Sequence, residues 1–202
     1  MAIRAGARPD RIYQLPFGID KSGVSPRIKR DDHEFSVVYI GSRAWQKGVH
    51  VLIEAFNHVP EPATLTVYGD PDVFPEYSRQ LVALARSPRI GSAGKLSRAE
   101  LWLVLAQTDL VAVPSIWYEN QPLTILEALA AGVPVMVSDL GALPELIEDD
   151  ASGWRVRAGD AAAWAQALTD VVTGAKRIKR VAAHVSDIEH DHLPQVMAFY
   201  QH

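Results

Sequence analysis

The chain has 202 residues, 20 Lys and Arg against 24 Asp and Glu for a formal net charge of -4, and 48% hydrophobic residues. At roughly 100–200 residues per domain this is one domain with an attached segment, and its core is large enough to need no disulfide or metal staple. The absence of cysteine excludes disulfides, zinc–thiolate sites, iron–sulfur clusters and thiol nucleophiles, and the acidic balance argues against broad nucleic-acid binding, which needs a basic face.

Residues 1–33 are rich in Arg, Asp, Gly and Pro and read as a linker, with only Ile12 to Phe17 resembling a short strand. Met1 to Pro9 holds no apolar segment of the secretory kind. The longest apolar run, Ala128 to Ser138, is broken by Gly132 and Pro134, short of the ~18 residues of a membrane helix. A soluble, cytoplasmic protein is expected, since a cysteine-free chain suits a reducing compartment.

From Phe35 the pattern becomes regular. Phe35 to Ile40 is a continuous apolar run, as in a strand buried on both faces. After Gly41, apolar residues Val49, Leu52, Ile53 and Phe56 fall at i, i+3, i+4 and i+7, one face of a helix. Further strands are predicted at 63–68, 89–93, 109–113, 133–138 and 153–157. Helices are predicted at 75–86, 97–107, 122–131, 142–148 and 160–173, with a last short helix near 194–202. This alternation predicts an α/β fold, a Rossmann-like parallel sheet with helices on both faces.

In such sheets ligands sit beyond the carboxyl ends of the strands, which directs attention to Val111–Gly132. A strand ends near Val113, Pro122 suits a first helical turn with Gln121 or Asn120 at the cap, and Gly132 ends the helix. A helix start offers free N–H groups and the positive end of a dipole, which attract phosphate. Glu119 lies in the loop before it and Glu127 farther along, and a carboxylate can accept two hydrogen bonds from vicinal hydroxyls. Either glutamate alone reads equally as a solvated surface residue; the surrounding aromatics, polar loop and Pro-started helix are what raise it above that.

The turn Gly41-Ser42-Arg43-Ala44-Trp45-Gln46-Lys47-Gly48 is the second candidate, since its Gly lets the backbone approach a ligand and Arg43 and Lys47 lie where an anion would sit. An ordinary βα turn with solvated cations is the competing account. No G-x-G pair, Walker A loop or G-x-S-x-G elbow occurs. Asp187 to His192 carries metal-ligand residue types but reads as a solvated turn before Pro194. The basic run Lys176 to Arg180 reads as a solvated face, with contact to anionic lipid at the cytoplasmic membrane surface or to a polyanionic partner as the alternative.

Trp117–Gly132, continued by Val133 to Ser138 and Gly141 to Glu145, resembles glycosyltransferase family 4, retaining enzymes of the GT-B fold. The pattern is close to E-x7-E, E-A-x-A-x-G-x-P-V and G-G-x-x-E. With Gly41…Lys47-Gly48, Val67-Tyr68-Gly69, and Asp109 to Val111 leading to Pro114-Ser115, it extends in order over 34–173.

That family pairs two Rossmann-like domains, and this chain resembles only the second, which binds the nucleotide-sugar donor. Residues 1–33, where Tyr13 to Asp20 resembles the interdomain passage, would be the remnant of an N-terminal acceptor domain. Residues 34–202 would be the donor domain with its crossover helix. The resemblance implies that Glu119 contacts the donor sugar, Glu127 the ribose, and Asn120, Gln121, Pro122, Leu123 and Thr124 the diphosphate and sugar. Lys47 would neutralise the leaving diphosphate, and Gly94, Lys95 and Leu96 would line the base pocket beside Gly41.

Ser42 stands where the family has an arginine, so either Arg43 reaches the phosphate through a shifted turn or that role is weakened; Ala142 replaces a common glycine. The implied substrate is a nucleoside-diphosphate sugar (UDP, GDP or ADP unresolved), with no required cofactor, no catalytic metal and no assigned base. The isolated chain is expected to bind nucleotide without transferring sugar. Nucleotide-sugar epimerisation and a non-catalytic α/β interaction module are the alternatives.

Overall fold

The computed structural model describes residues 6, 8, 17–28, 34–177, 181 and 193–200. Backbone contacts divide the chain into two compact units, Ser22–His184 and Met1–Lys21 with Val185–His202. Of the second unit the structure describes a short extended stretch around the buried Ile19 and a helix, Leu193–Tyr200. The Asp187 to His192 cluster and residues 178–180 of the basic run lie outside the described residues.

The first unit is a six-stranded parallel sheet. Its elements are β1 (Phe35–Ile40), α1 (Val49–Phe56), β2 (Ala63–Tyr68), α2 (Pro75–Leu84), β3 (Ile90–Ala93), α3 (Arg98–Ala106), β4 (Leu110–Val113), α4 (Leu123–Ala130), β5 (Val135–Ser138), β6 (Gly153–Val156) and α5 (Ala161–Val172). Strand order is β3-β2-β1-β4-β5-β6, every pair parallel. This is the Rossmann-like α/β architecture, and its order reverses between β1 and β4, where such folds open a crevice for ligands.

Side chains alternate across the sheet. Val37 and Tyr39, Leu65 and Val67, Leu110 and Ala112, Met136, and Trp154 and Val156 pack with α1 and α5 in one core. The intervening Val38, Val111, Val135 and Val137 are buried as well, so the sheet is covered on both faces. The four predicted positions of α1 (Val49, Leu52, Ile53, Phe56) are all buried.

Three local expectations change. The helix over 142–148 is a single 3-10 turn, Leu143–Leu146, because Gly141 enters with φ 63°, Pro144 has no N–H to donate, and the backbone is extended again at Ile147. Helix α2 stops at Leu84, where Ala85 turns extended. Neither Asn120 nor Gln121 caps α4: Pro122 occupies that position and no side chain caps the helix. Within the first unit, Ser22–Ile28 packs on the sheet domain: Ile28 N–H donates to Ala106 O at 2.8 Å, and Arg27 reaches Thr108 O at 2.9 Å, Gly132 O and Asp109.

Helix α3 begins with a capping box in which Ser97 accepts from Glu100 N–H and the Glu100 carboxylate accepts from Ser97 N–H at 2.7 Å. Ser97→Ala should therefore cost about 1 kcal/mol, read as a lower urea midpoint with unchanged slope.

Candidate functional site

The loops leaving β1, β2 and β3 enclose a cavity of about 530 Å³ at the carboxyl edge of the sheet. Gly41, Ser42, Gly69, Asp70, Lys95, Leu96, Arg98 and Glu127 are among its lining residues. Four sequence-predicted positions, Gly41, Lys95, Leu96 and Glu127, thus meet around one space although 86 residues separate the first from the last.

Local chemistry explains how they meet. A Cβ on Gly69 would overlap the Gly41 carbonyl oxygen, so only glycine lets the β1 and β2 loops lie this close. The Gly41–Ser42 turn is fastened by Tyr39, whose hydroxyl donates to Ser42 O at 2.6 Å. Burial, with Tyr77 and Glu119 nearby, pushes that phenol far above its ordinary pKa, so it remains a donor across neutral pH. At the other side, Thr124 donates to Ile40 O at 3.2 Å and binds the first turn of α4 to the end of β1.

Glu127 is only 7% exposed and forms an ion pair with Arg98, whose guanidinium also lies over the Trp102 ring at 4.9 Å. Ser97, Arg98 and Asp70 did not emerge from the sequence as site residues. Tyr68-Gly69 was visible as a strand end, but nothing in the linear order signals that Arg98 meets Glu127.

Lys47 and Glu119 form a second group. Lys47 Nζ lies 2.7 Å from Glu119 Oε1, and the buried Ser115 hydroxyl donates to the same oxygen at 2.9 Å. The β1 and β4 loops are stitched together beneath them by Ile116 N–H donating to Gln46 O at 3.0 Å. Asn120 and Leu123 are exposed, Gln121, Pro122 and Thr124 partly buried, and Gly94 has open space where a Cβ would point.

Arg43 is elsewhere. It is 3% exposed, lines no part of the 530 Å³ cavity, and donates through Nη2 to the carbonyls of Val67 and Ala93 at the ends of β2 and β3. Of the two readings of this turn, Arg43 shifted to a phosphate or the role weakened, the geometry favours the second: the side chain runs beneath Gly69 and into the protein. Burial lowers its pKa from the ordinary value, opposed by Asp70 and Tyr39, but a guanidinium keeps its charge in proteins.

The family model for group 1 glycosyl transferases matches residues 34–173. The chain belongs to the group 1 glycosyltransferases.

Every residue of the cavity and of the Lys47–Glu119 group lies within the matched range. The chain is 31% identical over 196 residues to a D-inositol 3-phosphate glycosyltransferase of Xylanimonas cellulosilytica, covering 88% of this chain and 47% of that protein. It spans about half the length of the curated relatives it matches. Among solved structures, HepE of Anabaena in complex with UDP and glucose superposes with a TM-score of 0.81 at 21% identity, over 99% of this chain and 60% of that one. The C-terminal domain of the group 1 glycosyltransferase LpcC of Francisella tularensis gives a TM-score of 0.67 at 22% identity, over 91% of this chain and 98% of that one. The fold of this group 1 chain is thus one half of a GT-B architecture. No helix of the described residues is long and apolar enough to cross a membrane.

Beside the β1 turn of this group 1 chain, His50 Nδ1 lies 2.7 Å from the Tyr77 hydroxyl, and its ring stacks on Trp45 at 6.0 Å and 12°. Burial lowers the His50 pKa, with Glu54 acting in the opposite sense. The unfolded chain binds this proton more readily, so the contribution is full above about pH 6.5 and is lost as pH falls below it. His50→Gln should flatten the acid side of a plot of thermal midpoint against pH, leaving pH 8 values least changed.

Proposed function

We propose that this domain binds the nucleoside-diphosphate sugar of a retaining glycosyltransferase, and that a further domain supplies the acceptor. The observation that carries this is the carboxyl-edge cavity at the strand-order switch, with Glu127 in its wall and the Lys47–Glu119 pair on the adjoining β1 and β4 loops. A carboxylate facing the cavity suits a ribose diol. The start of α4, which no side chain caps, and Lys47, paired with Glu119 in the loop that precedes the helix, suit a diphosphate, because N–H dipoles and one cation would meet the charge. The UDP and glucose held by HepE, on the same fold, support the assignment.

In this reading Glu119 holds Lys47 in place until the diphosphate arrives, then turns to the sugar hydroxyls. Charge developing on the leaving diphosphate is stabilised by Lys47 and the α4 dipole, so transfer continues in EDTA. Lys47→Ala in the two-domain protein should lower kcat by about 10²–10³ with a smaller change in KM, by the magnitude of a lost charge-stabilising donor. A kcat within threefold of the parent would remove Lys47 from the chemistry. Proton NMR of the product would report the same anomeric configuration as the donor; an inverted product ends the retaining assignment. The 202-residue chain alone should bind nucleotide yet transfer no sugar to any acceptor.

A further inference from the structure

A second cavity, of about 420 Å³, lies among α1, α2 and the edge strand β3 and shares no lining residue with the first. Its origin is legible in composition. Strand β3 is Ile90-Gly91-Ser92-Ala93, three of four residues being too small to fill the space beneath α2, and α2 ends before Ala85. Ile53, Val67, Leu81, Val82 and Ile90 form apolar walls.

Arg43 lines this space too. Its Nη2 serves two backbone carbonyls, but its Nε is buried and has no hydrogen-bond partner among the described residues. Asp70 acts on the guanidinium through space, and no carboxylate of the described residues forms an ion pair with it. A buried permanent cation without a paired anion is costly, and an anionic ligand in the cavity that Arg43 lines would offset that cost. Arg86 lies exposed at the rim, where water screens its charge, so Arg43 is the buried cation of this lining.

We infer that this cavity is a binding site for a small amphiphilic carboxylate, its hydrocarbon body against Ile53, Leu81, Val82 and Ile90 and its head group accepting from Arg43. A carboxylate rather than a phosphate fits because one buried guanidinium balances one negative charge. A second negative charge would enter among apolar walls without a buried partner. The cavity volume falls within the range of small-molecule pockets, roughly 300–1,000 Å³. Nothing in this inference depends on the donor site.

The test is a titration of the 202-residue chain with octanoate and with octanol, each kept below its aggregation limit, followed by calorimetry. Octanoate should saturate a single site and octanol should bind about tenfold more weakly, the discrimination expected of one charged hydrogen bond. Arg43→Met, apolar and of similar length, should abolish the preference for octanoate. Val82→Asp, at an exposed lining position, removes an apolar contact for both ligands and adds a charge that repels only the carboxylate, so it should weaken octanoate several-fold more than octanol. Equal binding of the two ligands, absence of saturable octanoate binding, or octanoate affinity unchanged in Arg43→Met would overturn the inference. Should Arg43→Met fail to fold by circular dichroism, Val82→Asp decides alone: unchanged octanoate affinity there is equally fatal.

Discussion

Gly48→Ala is expected to lower stability by about 3–4 kcal/mol. Two independent costs combine. Gly48 has φ 69°, a left-handed conformation that costs an L-residue roughly 1–2 kcal/mol. A Cβ there would also overlap the carbonyl oxygen of Pro114, so the β1 and β4 loops must separate, with a typical overpacking cost of 1–3 kcal/mol. For a chain of this size the thermal midpoint should drop by about 10 °C. Because the same loops bring Lys47 to Glu119, the variant should lose nucleotide affinity as well. Gly94→Ala is the control: its Cβ meets nothing within 4 Å and its φ is not left-handed, so the midpoint should hold or rise slightly. Equal losses in the two variants would contradict the packing account.

Glu127→Ala should weaken binding of a nucleoside diphosphate to the 202-residue chain by roughly 10- to 100-fold, the effect of losing one or two hydrogen bonds to a charged group. Fold stability should change little by comparison, since the partner Arg98 is half exposed and regains water. Glu127→Gln keeps one acceptor and should fall between. Loss of a ribose contact also predicts that the variant discriminates less between a ribonucleotide and its dideoxy counterpart. Calorimetric titration of UDP, GDP and ADP against parent and variants measures all of this, and an unchanged Kd in Glu127→Ala would exclude it from the ribose contact.

Much of the fold was legible because burial on both faces leaves a plain signature. Phe35–Ile40 reads as an unbroken apolar run, and the spacing of Val49, Leu52, Ile53 and Phe56 matches the buried face of α1. The 142–148 segment misleads for a local reason: four apolar residues near Pro144 suit a helix by composition, yet proline and the left-handed Gly141 permit only a 3-10 turn.

The site was legible in part. Glycines at strand ends and the loop before α4 pointed to the carboxyl edge of the sheet, where the 530 Å³ cavity lies. Periodicity could not single out Glu127, because Ile125 to Leu129 are buried without a break. Arg98 was invisible because its partner lies 29 residues away and meets it only once β4 crosses to the far side of β1. The direction of Arg43 was not legible since a side chain near a strand-ending glycine can turn to either side, and here it runs beneath Gly69.

The central claim is the position of the donor, and a crystal structure of the 202-residue chain with UDP tests it most directly. The account predicts the ribose hydroxyls on Glu127, the base toward Lys95 and Leu96, and the diphosphate between Lys47 and the first turn of α4. UDP bound on another face of the sheet, or in the carboxyl-edge cavity with its diphosphate turned away from Lys47 and α4, would contradict it.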